Sequence, residues 1–460
     1  MQLISTRGGD KASFETALMQ GLARDGGLFI PEQFPDLSWI MRGDPYIPYV
    51  QVARWVMRAF WPESGPQMIY DIIEQTYTRA IFGSDAITPL VWLDDDTAIL
   101  RLSGGPTRSF KDVALQLVIR LMSYVLAQQG RTLTLILATS GDTGSAAAEA
   151  VRGIPNIRLF VLIPKGRISE FQRRQMTTIP DQNVFIIEVD VPFDALQGMV
   201  KDVFADHGFC EKIGISGVNS INWGRIVAQS VYWISACLQA KQRYPGIERV
   251  IGRVPTGNFG DIYAGYVARR CGLPLDLVAC TNENNILYEV FTTGFYRPRT
   301  LAEVIATSSP SMDIATASNF ERLLAEAVRR NPTHVNTLMA KIARGQRIEL
   351  PRAKLAAEGF TAAMTTQQQV LETIKRTHDT SGLLIDPHTA VALHGVTRQA
   401  GKVTVVAETA LPVKFPDTIE RATGIRPPMT AAEIAMMAAP ERIYGLPHDV
   451  AAFKDFIATH

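Results

Sequence analysis

The sequence predicts an α/β protein built on parallel sheets. Its middle part alternates short, continuously apolar runs with stretches of helical periodicity. Strands that are apolar on both faces are typical of a parallel sheet that helices cover on both sides. The expected strands are Thr132–Ala138, Ile157–Ile163, Val184–Val189, Val250–Val254, Leu277–Cys280 and Val403–Ala407, and the expected helices are Thr143–Val151, Phe193–Ala205, Gly224–Gln242 and Ile262–Arg270.

The same pattern divides the chain of 460 residues into segments. Residues 1–90 are mixed and mostly helical, which predicts a separate N-terminal domain. Residues 91–290 carry the alternation of strands and helices, and we expect them to form the core. The strand signal fades over residues 291–380, which predicts a mainly helical insertion, and it returns within residues 381–460. The expected helices of the insertion are Glu321–Arg330 and Ala362–Thr377.

Composition argues against several classes of function. The formal net charge is only +1 and no long run of lysine and arginine occurs, so neither nucleic acid nor a membrane surface is the expected partner. The first residues lack the pattern of a signal peptide, and no apolar run is long enough to span a bilayer. The four cysteines lack the spacing of metal ligands. We therefore expect a cytoplasmic enzyme or binding protein that acts on a small molecule and holds no metal.

Lys111 is the first candidate for chemistry. It follows the tight turn Gly104-Gly105-Pro106 and opens a helix whose apolar residues recur at helical spacing. Burial and the positive end of the helix dipole both disfavour an ammonium group at that place. The neutral amine that results is what a Schiff-base lysine requires. A surface lysine in a first helical turn is the alternative interpretation.

Two loops have the composition of anion sites. Ala138–Ser145 follows a buried strand and opens a helix, so its N–H groups and hydroxyls can hold a negative charge. A well-capped helix would give the same pattern. Pro255–Asp261 also joins a strand to a helix, and its glycines suit a backbone that wraps closely round a phosphate. Two such loops indicate two phosphates, one on a cofactor and one elsewhere.

Two further segments carry polar residues where apolar ones are expected. In Asn219–Arg225, the arginine offers a bidentate grip on a phosphate, and an arginine that caps a local turn is the equal alternative. Glu408–Phe415 lies at the carboxyl end of the last predicted strand, where ligands bind in open α/β sheets. A hydroxyl there, such as that of Thr409, can hydrogen-bond a heterocyclic nitrogen without requiring that it be protonated.

Taken in order along the chain, these motifs resemble the longer branch of the threonine synthase family. The resemblance covers nearly the whole sequence and implies the tryptophan synthase β-like fold, fold type II of the pyridoxal-phosphate (PLP) enzymes. That fold has two open parallel-sheet subdomains, here with an N-terminal domain and a helical insertion. The matching segments are Ser5–Gly8, Gly21–Pro31, Gly105–Asp112, Ala138–Ser145, Asn219–Arg225, Thr256–Asp261, Met312–Arg322 and Thr409–Phe415.

The resemblance implies a role for individual residues. Lys111 would carry the pyridoxal 5'-phosphate as a Schiff base and act as the catalytic base. Thr409 would face the pyridine nitrogen. The residues implied to hold the cofactor phosphate are Gly257, Asn258, Phe259 and Asp261. The residues implied to bind substrate are Ser140, Asp142, Thr143, Asn222 and Arg225.

The implied reaction converts O-phospho-L-homoserine and water to L-threonine and phosphate, in a monomer or homodimer. A related PLP-dependent phospho-lyase, which releases 2-oxobutyrate, ammonia and phosphate, would use the same residues. An inactive binding protein on this scaffold is a third interpretation, against which the intact Lys111 argues. The chain departs from the family at Leu411, where histidine is usual. The sequence leaves open how this leucine affects the choice of substrate.

Overall fold

A computed structural model describes residues 1–9 and 11–460 of the chain. The strands are β1 (Leu3–Ser5), β2 (Phe29–Pro31), β3 (Leu90–Trp92), β4 (Thr97–Arg101), β5 (Leu133–Ala138), β6 (Ile157–Pro164), β7 (Val184–Val189), β8 (Ile215–Ser216), β9 (Arg249–Pro255), β10 (Leu275–Thr281), β11 (Phe295–Tyr296), β12 (Ile348–Glu349), β13 (Phe360–Met364), β14 (Lys402–Glu408) and β15 (Tyr444–Gly445). The helices of the first half are α1 (Phe14–Gln20), α2 (Tyr49–Phe60), α3 (Pro66–Thr76), α4 (Arg79–Phe82), α5 (Lys111–Gln128), α6 (Asp142–Val151), α7 (Glu170–Thr177), α8 (Phe193–Ala205), α9 (His207–Ile213) and α10 (Trp223–Arg243). Those of the second half are α11 (Gly260–Arg270), α12 (Ile286–Thr293), α13 (Phe320–Ala327), α14 (Pro332–Ala343), α15 (Arg352–Ala357), α16 (Gln367–Ser381), α17 (Pro387–Leu393), α18 (Pro416–Thr423), α19 (Ala431–Ala438) and α20 (Val450–Thr459). Short 3₁₀-helices are Ser38–Arg42, Leu301–Glu303, Pro310–Met312 and Pro412–Lys414.

Two open sheets organise the molecule. The larger sheet has the order β13-β10-β9-β14-β4-β3, and all of its strands are parallel except β3, which pairs antiparallel with β4. The smaller sheet has the order β15-β7-β6-β5-β8 and is parallel throughout. In each sheet the loops at the carboxyl ends of the parallel strands therefore lie along one edge, which is where open α/β sheets bind ligands.

The apolar runs form the central strands as the sequence predicts. Each expected strand and helix of the core is present, with ends within two residues of the expected ones. Most residues of β5, β6, β9 and β14 are buried, which fits strands covered by helices on both faces. No helix within residues 1–9 and 11–460 combines the length and the apolar character that crossing a bilayer requires.

One predicted helix of the insertion is wrong in its first part. The sequence predicts a helix over Ala362–Thr377, but α16 begins only at Gln367. Residues Phe360–Met364 instead form β13, which pairs parallel with β10 at the edge of the larger sheet. The alanines of this segment favour a helix, yet the unpaired backbone groups at the edge of β10 outweigh that local preference.

The N-terminal residues share the core of the rest of the molecule. Helix α2 packs against α10, and the apolar side chains of both belong to one continuous cluster. Glu321 of α13 links the chain start to the insertion, since it accepts hydrogen bonds from Thr6 Oγ1 at 2.6 Å and from Arg7 Nε at 3.0 Å. The segment that resembles the family's N-terminal signature thus lies directly against the insertion.

Candidate active site

Lys111 lies where loops from both sheets meet. Its Nζ lies 3.3 Å from Oδ2 of Asp142, so the start of α5 contacts the start of α6. The backbone N–H of Phe110 donates to the carbonyl oxygen of Thr409 at 3.0 Å. This bond places the segment after β14 beside the residue that precedes Lys111. The structure therefore brings three of the sequence-predicted site residues to one place.

Residues of the insertion hold two further site loops together. Asn319 donates from Nδ2 to the carbonyl oxygens of Ser220 and Asn258, at 3.2 and 3.0 Å. Arg322 is fully buried and donates from Nη2 to the carbonyl oxygen of Ile221 at 2.6 Å. These side chains fix the loop before α10 against the loop before α11. The sequence motif Met312–Arg322 indicated a resemblance, but its residues gave no sign of this positioning function.

The turn before Lys111 requires its glycine. A Cβ on Gly105 would lie 2.4 Å from the side chain of Asp112, so no larger residue fits there without a shift. The Asp112 carboxylate accepts hydrogen bonds from the backbone N–H and the hydroxyl of Thr107, at 2.8 and 2.7 Å. Asp112 is thus a structural residue that fixes the approach of the chain to Lys111.

The environment of Lys111 favours its neutral amine. Lys111 is only 8% exposed, and burial is the main cause that lowers the pKa of its ammonium. Asp142 opposes this shift, while the positive charges of Lys414 and Arg225 add to it. The burial that the sequence predicted is confirmed, whereas the two neighbouring cations could not be predicted from the local pattern.

Asp142 contacts two lysines. Its Oδ1 accepts hydrogen bonds from Lys414 Nζ at 2.6 Å and from Gln172 Nε2 at 2.8 Å, while Oδ2 faces Lys111. Burial would raise the pKa of this carboxyl, but the two ammonium groups and the hydrogen bonds hold it well below its usual range. Sequence analysis missed Lys414 and Gln172 as site residues. A lysine inside the otherwise apolar Leu411–Phe415 was the only local signal for Lys414.

The loop before α6 both caps its helix and leaves hydroxyls free. Thr139 Oγ1 accepts hydrogen bonds from the N–H groups of Gly141 and Gly144, each at 3.0 Å, so the capped-helix interpretation holds for this residue. Ser140 is exposed and Thr143 is half-buried. Across residues 1–9 and 11–460, neither of these two hydroxyls takes part in a hydrogen bond. They are therefore available to a ligand.

The loop before α11 packs so closely that a side chain at Gly257 does not fit. A Cβ there would lie 2.4 Å from the carbonyl oxygen of Ser311. Phe259 has a left-handed backbone with φ of 64°, and its buried ring packs in an aromatic cluster. Gly257 and the buried Phe259 therefore place no side chain over the N-terminus of α11, which suits a bound phosphate.

The contacts of the Asp261 carboxylate differ from those expected of a residue that holds the cofactor phosphate. Its Oδ1 accepts hydrogen bonds from Tyr232 Oη at 2.6 Å and from Trp233 Nε1 at 2.9 Å, both on α10. Oδ2 is buried and has no hydrogen-bond partner among the described residues. Burial raises the pKa of this carboxyl to about 6. The backbone N–H of Asp261 remains the group that fits the implied function.

Asn222 and Arg225 lie at the start of α10. Asn222 caps this helix, because its Oδ1 accepts the N–H of Gly224 at 2.9 Å, and its Nδ2 donates to Leu18 at 2.8 Å. Arg225 is 3% exposed and donates from Nη1 to the carbonyl oxygen of Val218 at 3.0 Å. Its buried Nε has no partner in the described part of the chain. Burial lowers the pKa of this guanidinium to about 10.

Thr409 and Leu411 follow β14. Thr409 is buried, and Leu411 donates its N–H to the carbonyl oxygen of Arg108 at 3.2 Å. Leu411 lines a cleft of about 280 Å³ that also contains the ion pair between Arg108 Nε and Glu433 Oε1, at 2.9 Å. Where the family usually has histidine, this chain therefore presents an apolar side chain to this cleft.

Two open parallel sheets, with a buried lysine opening a helix where their loops meet, define a protein of the tryptophan synthase β-like class. Family models support a finer assignment: one described as the threonine synthase N terminus matches residues 2–77, and one described as threonine synthase, C-terminal, matches residues 389–457. A threonine synthase of Methylobacillus glycogenes is 42% identical, with 100% of both chains covered. The chain belongs to the threonine synthase family.

Solved structures agree with this assignment. The crystal structure of PLP-bound threonine synthase from Brucella melitensis has a TM-score of 0.94 and 39% sequence identity, and the match covers 100% of this chain and 99% of that one. Yeast threonine synthase has a TM-score of 0.92 and 34% identity, covering 99% of this chain and 98% of its own. The fold class that the sequence predicted is confirmed.

Proposed function

We propose that the chain converts O-phospho-L-homoserine and water to L-threonine and phosphate, with PLP held on Lys111, as the last step of threonine biosynthesis. One observation carries the proposal. The positive charge of Arg225, a buried guanidinium that pairs with no carboxylate in the described part of the chain, helps to lower the pKa of the buried Lys111 amine. The amine suits the cofactor, and the separate cation suits a substrate that carries its own phosphate. Similarity to threonine synthases over the full length supports the same reaction.

The residues present fit PLP. Gly257 lets the loop before α11 pack closely against Ser311, and the first backbone N–H groups of α11 can hold the cofactor phosphate at the helix start. Asn258 and Phe259 belong to this loop. Thr409 is hydrogen-bonded to Phe110, the residue before Lys111, and its hydroxyl suits the ring nitrogen. When bound, PLP supplies an electron sink that stabilises a carbanion next to the substrate amino group.

The substrate phosphate is assigned to Arg225, with Ser140 and Thr143 as further donors. Arg225 is buried and its Nε has no partner in the described part of the chain, and charge-assisted hydrogen bonds are strongest where water is excluded. Asn222 caps α10 and so holds the turn that carries Arg225. A direct contact of Asn222 or Asp142 with the substrate remains a prediction.

Proton transfer is assigned to Lys111. Its amine, once displaced by the substrate amino group, would remove the proton from the α-carbon and then one from the β-carbon. It would return one proton to the γ-carbon after phosphate has left and one to the α-carbon after water has added, while the proton released by the water goes to the phosphate. The phosphate that leaves the γ-carbon stays on Arg225, Ser140 and Thr143, where it orients the attacking water at the β-carbon. Proximity of this kind contributes several kcal/mol in favourable cases.

The decisive experiment measures the products of one reaction. With O-phosphohomoserine as substrate, we expect threonine to be the main product, formed in amounts equal to the phosphate released, because the held phosphate favours addition of water over escape of the unsaturated intermediate. Phosphate, threonine and 2-oxobutyrate are followed together in one sample. A majority of 2-oxobutyrate would assign the chain to the phospho-lyases, with Leu411 as the first residue to examine.

A second prediction tests the cofactor loop. Gly257→Ala should weaken PLP retention by at least about tenfold, equal to ~1.4 kcal/mol, because the new Cβ would lie 2.4 Å from the Ser311 carbonyl oxygen and must displace the loop. The measurement is the rate of cofactor loss during dialysis. Gly198→Ala in α8 is the matched control, since no atom lies within 4 Å of its Cβ. Unchanged retention in Gly257→Ala would move the cofactor phosphate to another loop, with the one at Ser140 next.

A further inference from the structure

Lys414 is a second buried lysine beside Lys111. It ends the 3₁₀-helix Pro412–Lys414, and its side chain is fully buried, with 0% exposure. Its Nζ donates to Asp142 Oδ1 at 2.6 Å, and no other protein acceptor for it occurs within residues 1–9 and 11–460. A buried ammonium group of this kind requires a partner, and here that partner is the same carboxylate that faces Lys111.

Sharing the carboxylate changes what it can do for Lys111. A carboxylate stabilises a neighbouring ammonium group, so Asp142 alone would hold the proton on Lys111. Lys414 and Gln172 occupy Oδ1, which leaves only Oδ2 for Lys111 at the longer distance of 3.3 Å. A second cation next to a lysine also favours its neutral amine. Both effects of Lys414 act in the same direction.

We propose that Lys414 is a positioning residue that occupies Asp142 and thereby leaves the Lys111 amine free to act as nucleophile and base. The inference rests on the proposed function of Lys111. Whether Lys111 is a neutral amine or holds PLP, Lys414 remains as the positive partner of Asp142. The buried carboxylate therefore never stands alone during the reaction.

The other charged groups that face Lys111 do not replace Lys414 in this function. Arg225 on α10 adds positive charge. Lys111 lowers the pKa of the Asp261 carboxyl on α11, but that carboxylate is held by Tyr232 and Trp233. Asp112, on the same helix as Lys111, is held by Thr107. Asp142 is thus the carboxylate that forms an ion pair with Lys111 in the described part of the chain.

The test titrates the Lys111 amine directly. The full chain is purified with PLP and freed of it with hydroxylamine, and preparations that regain the original absorbance on reloading are used. Lys111 is then labelled with acetic anhydride at a series of pH values, and labelling is measured by peptide mass spectrometry. We expect Lys414→Met to raise the pH midpoint of labelling by at least about one unit, which is about tenfold less labelling below the midpoint.

A second variant should shift the pH midpoint of Lys111 labelling in the opposite direction. Asp142→Asn removes the group that favours the ammonium form, so the midpoint of Lys111 labelling should fall below that of the unaltered chain. Lys414→Arg keeps the charge and should keep the midpoint. Lys241→Met is the matched control. Lys241 donates to the carbonyl oxygens of Met41 and Gly43 and forms no hydrogen bond with Asp142.

The outcomes separate this inference from the proposed function. An unchanged midpoint in Lys414→Met, or a shift of the same sign in Lys414→Met and Asp142→Asn, would overturn it, because loss of folding moves both midpoints towards that of an ordinary lysine. Labelling needs neither PLP nor substrate. A phospho-lyase result in the product assay therefore overturns the proposed reaction and leaves the assignment of Lys414 intact.

Discussion

Replacement of Lys111 by alanine should lower turnover of O-phosphohomoserine by at least about four orders of magnitude. The change removes the group that holds PLP and the base that moves protons at the α- and β-carbons, and no other described lysine except Lys414 contacts Asp142. Turnover is measured as phosphate release. Because Lys111 is buried at the start of α5 and its ammonium is disfavoured there, its truncation should not destabilise the fold.

The attachment point is tested separately from the rate. Borohydride reduction of the unaltered enzyme followed by peptide mapping should place the cofactor label on Lys111. Lys165→Ala, in an exposed turn after β6, is the control and should keep normal turnover. Label on Lys414 instead would show that the two lysines of the site have been assigned the wrong way round.

The parts of the fold that depend on local pattern could be predicted from the sequence. Val184–Val189 and Phe193–Ala205 are strand and helix with the expected bounds, because a continuous apolar run and a 3.6-residue period are properties of neighbouring residues. Residues 360–364 could not be predicted in this way. Their strand exists because β10 offers an unpaired edge, and that edge is a property of the assembled sheet.

The same distinction applies to the candidate site: features of neighbouring residues could be predicted, and contacts between distant residues could not. Lys111 could be found because its turn, its helix start and its apolar helix face are adjacent in sequence. Lys414 could not, because its partner Asp142 lies 272 residues away along the chain. Asp261 lies in the expected loop, but its carboxylate is held by side chains of α10 that no local pattern connects to it. Sequence analysis therefore located the loops and missed the contacts between them.

Two buried arginines of the site differ in how many of their guanidinium nitrogens have a hydrogen-bond acceptor. This difference predicts that the same substitution has different effects at the two positions. Burial lowers the pKa of both Arg225 and Arg322 to about 10. Arg322 uses Nε, Nη1 and Nη2 to reach Phe29, Asn319 and Ile221. Arg225 uses only Nη1, and its Nε has no partner in the described part of the chain.

Arg322→Met should therefore be a stability variant. It leaves three acceptors of the loops without their donor, and we expect a loss of about 3 kcal/mol in the free energy of unfolding. Arg225→Met should be a binding variant. It removes an uncompensated buried charge, which costs little stability or even adds some, because sites built for a ligand are not optimised for the empty state.

For the Arg225→Met enzyme we expect the KM for O-phosphohomoserine to rise by about 10- to 100-fold, the range of one or two hydrogen bonds to a charged group. Its cofactor absorbance should stay normal, because the loop before α11 holds the PLP phosphate. Inorganic phosphate should raise the Tm of the unaltered enzyme and have little effect on the Tm of Arg225→Met. Loss of PLP from Arg225→Met with an unchanged KM would reverse the assignment of the two phosphate sites. The guanidinium would then bind the cofactor phosphate, and the hydroxyls of Ser140 and Thr143 would bind the substrate phosphate.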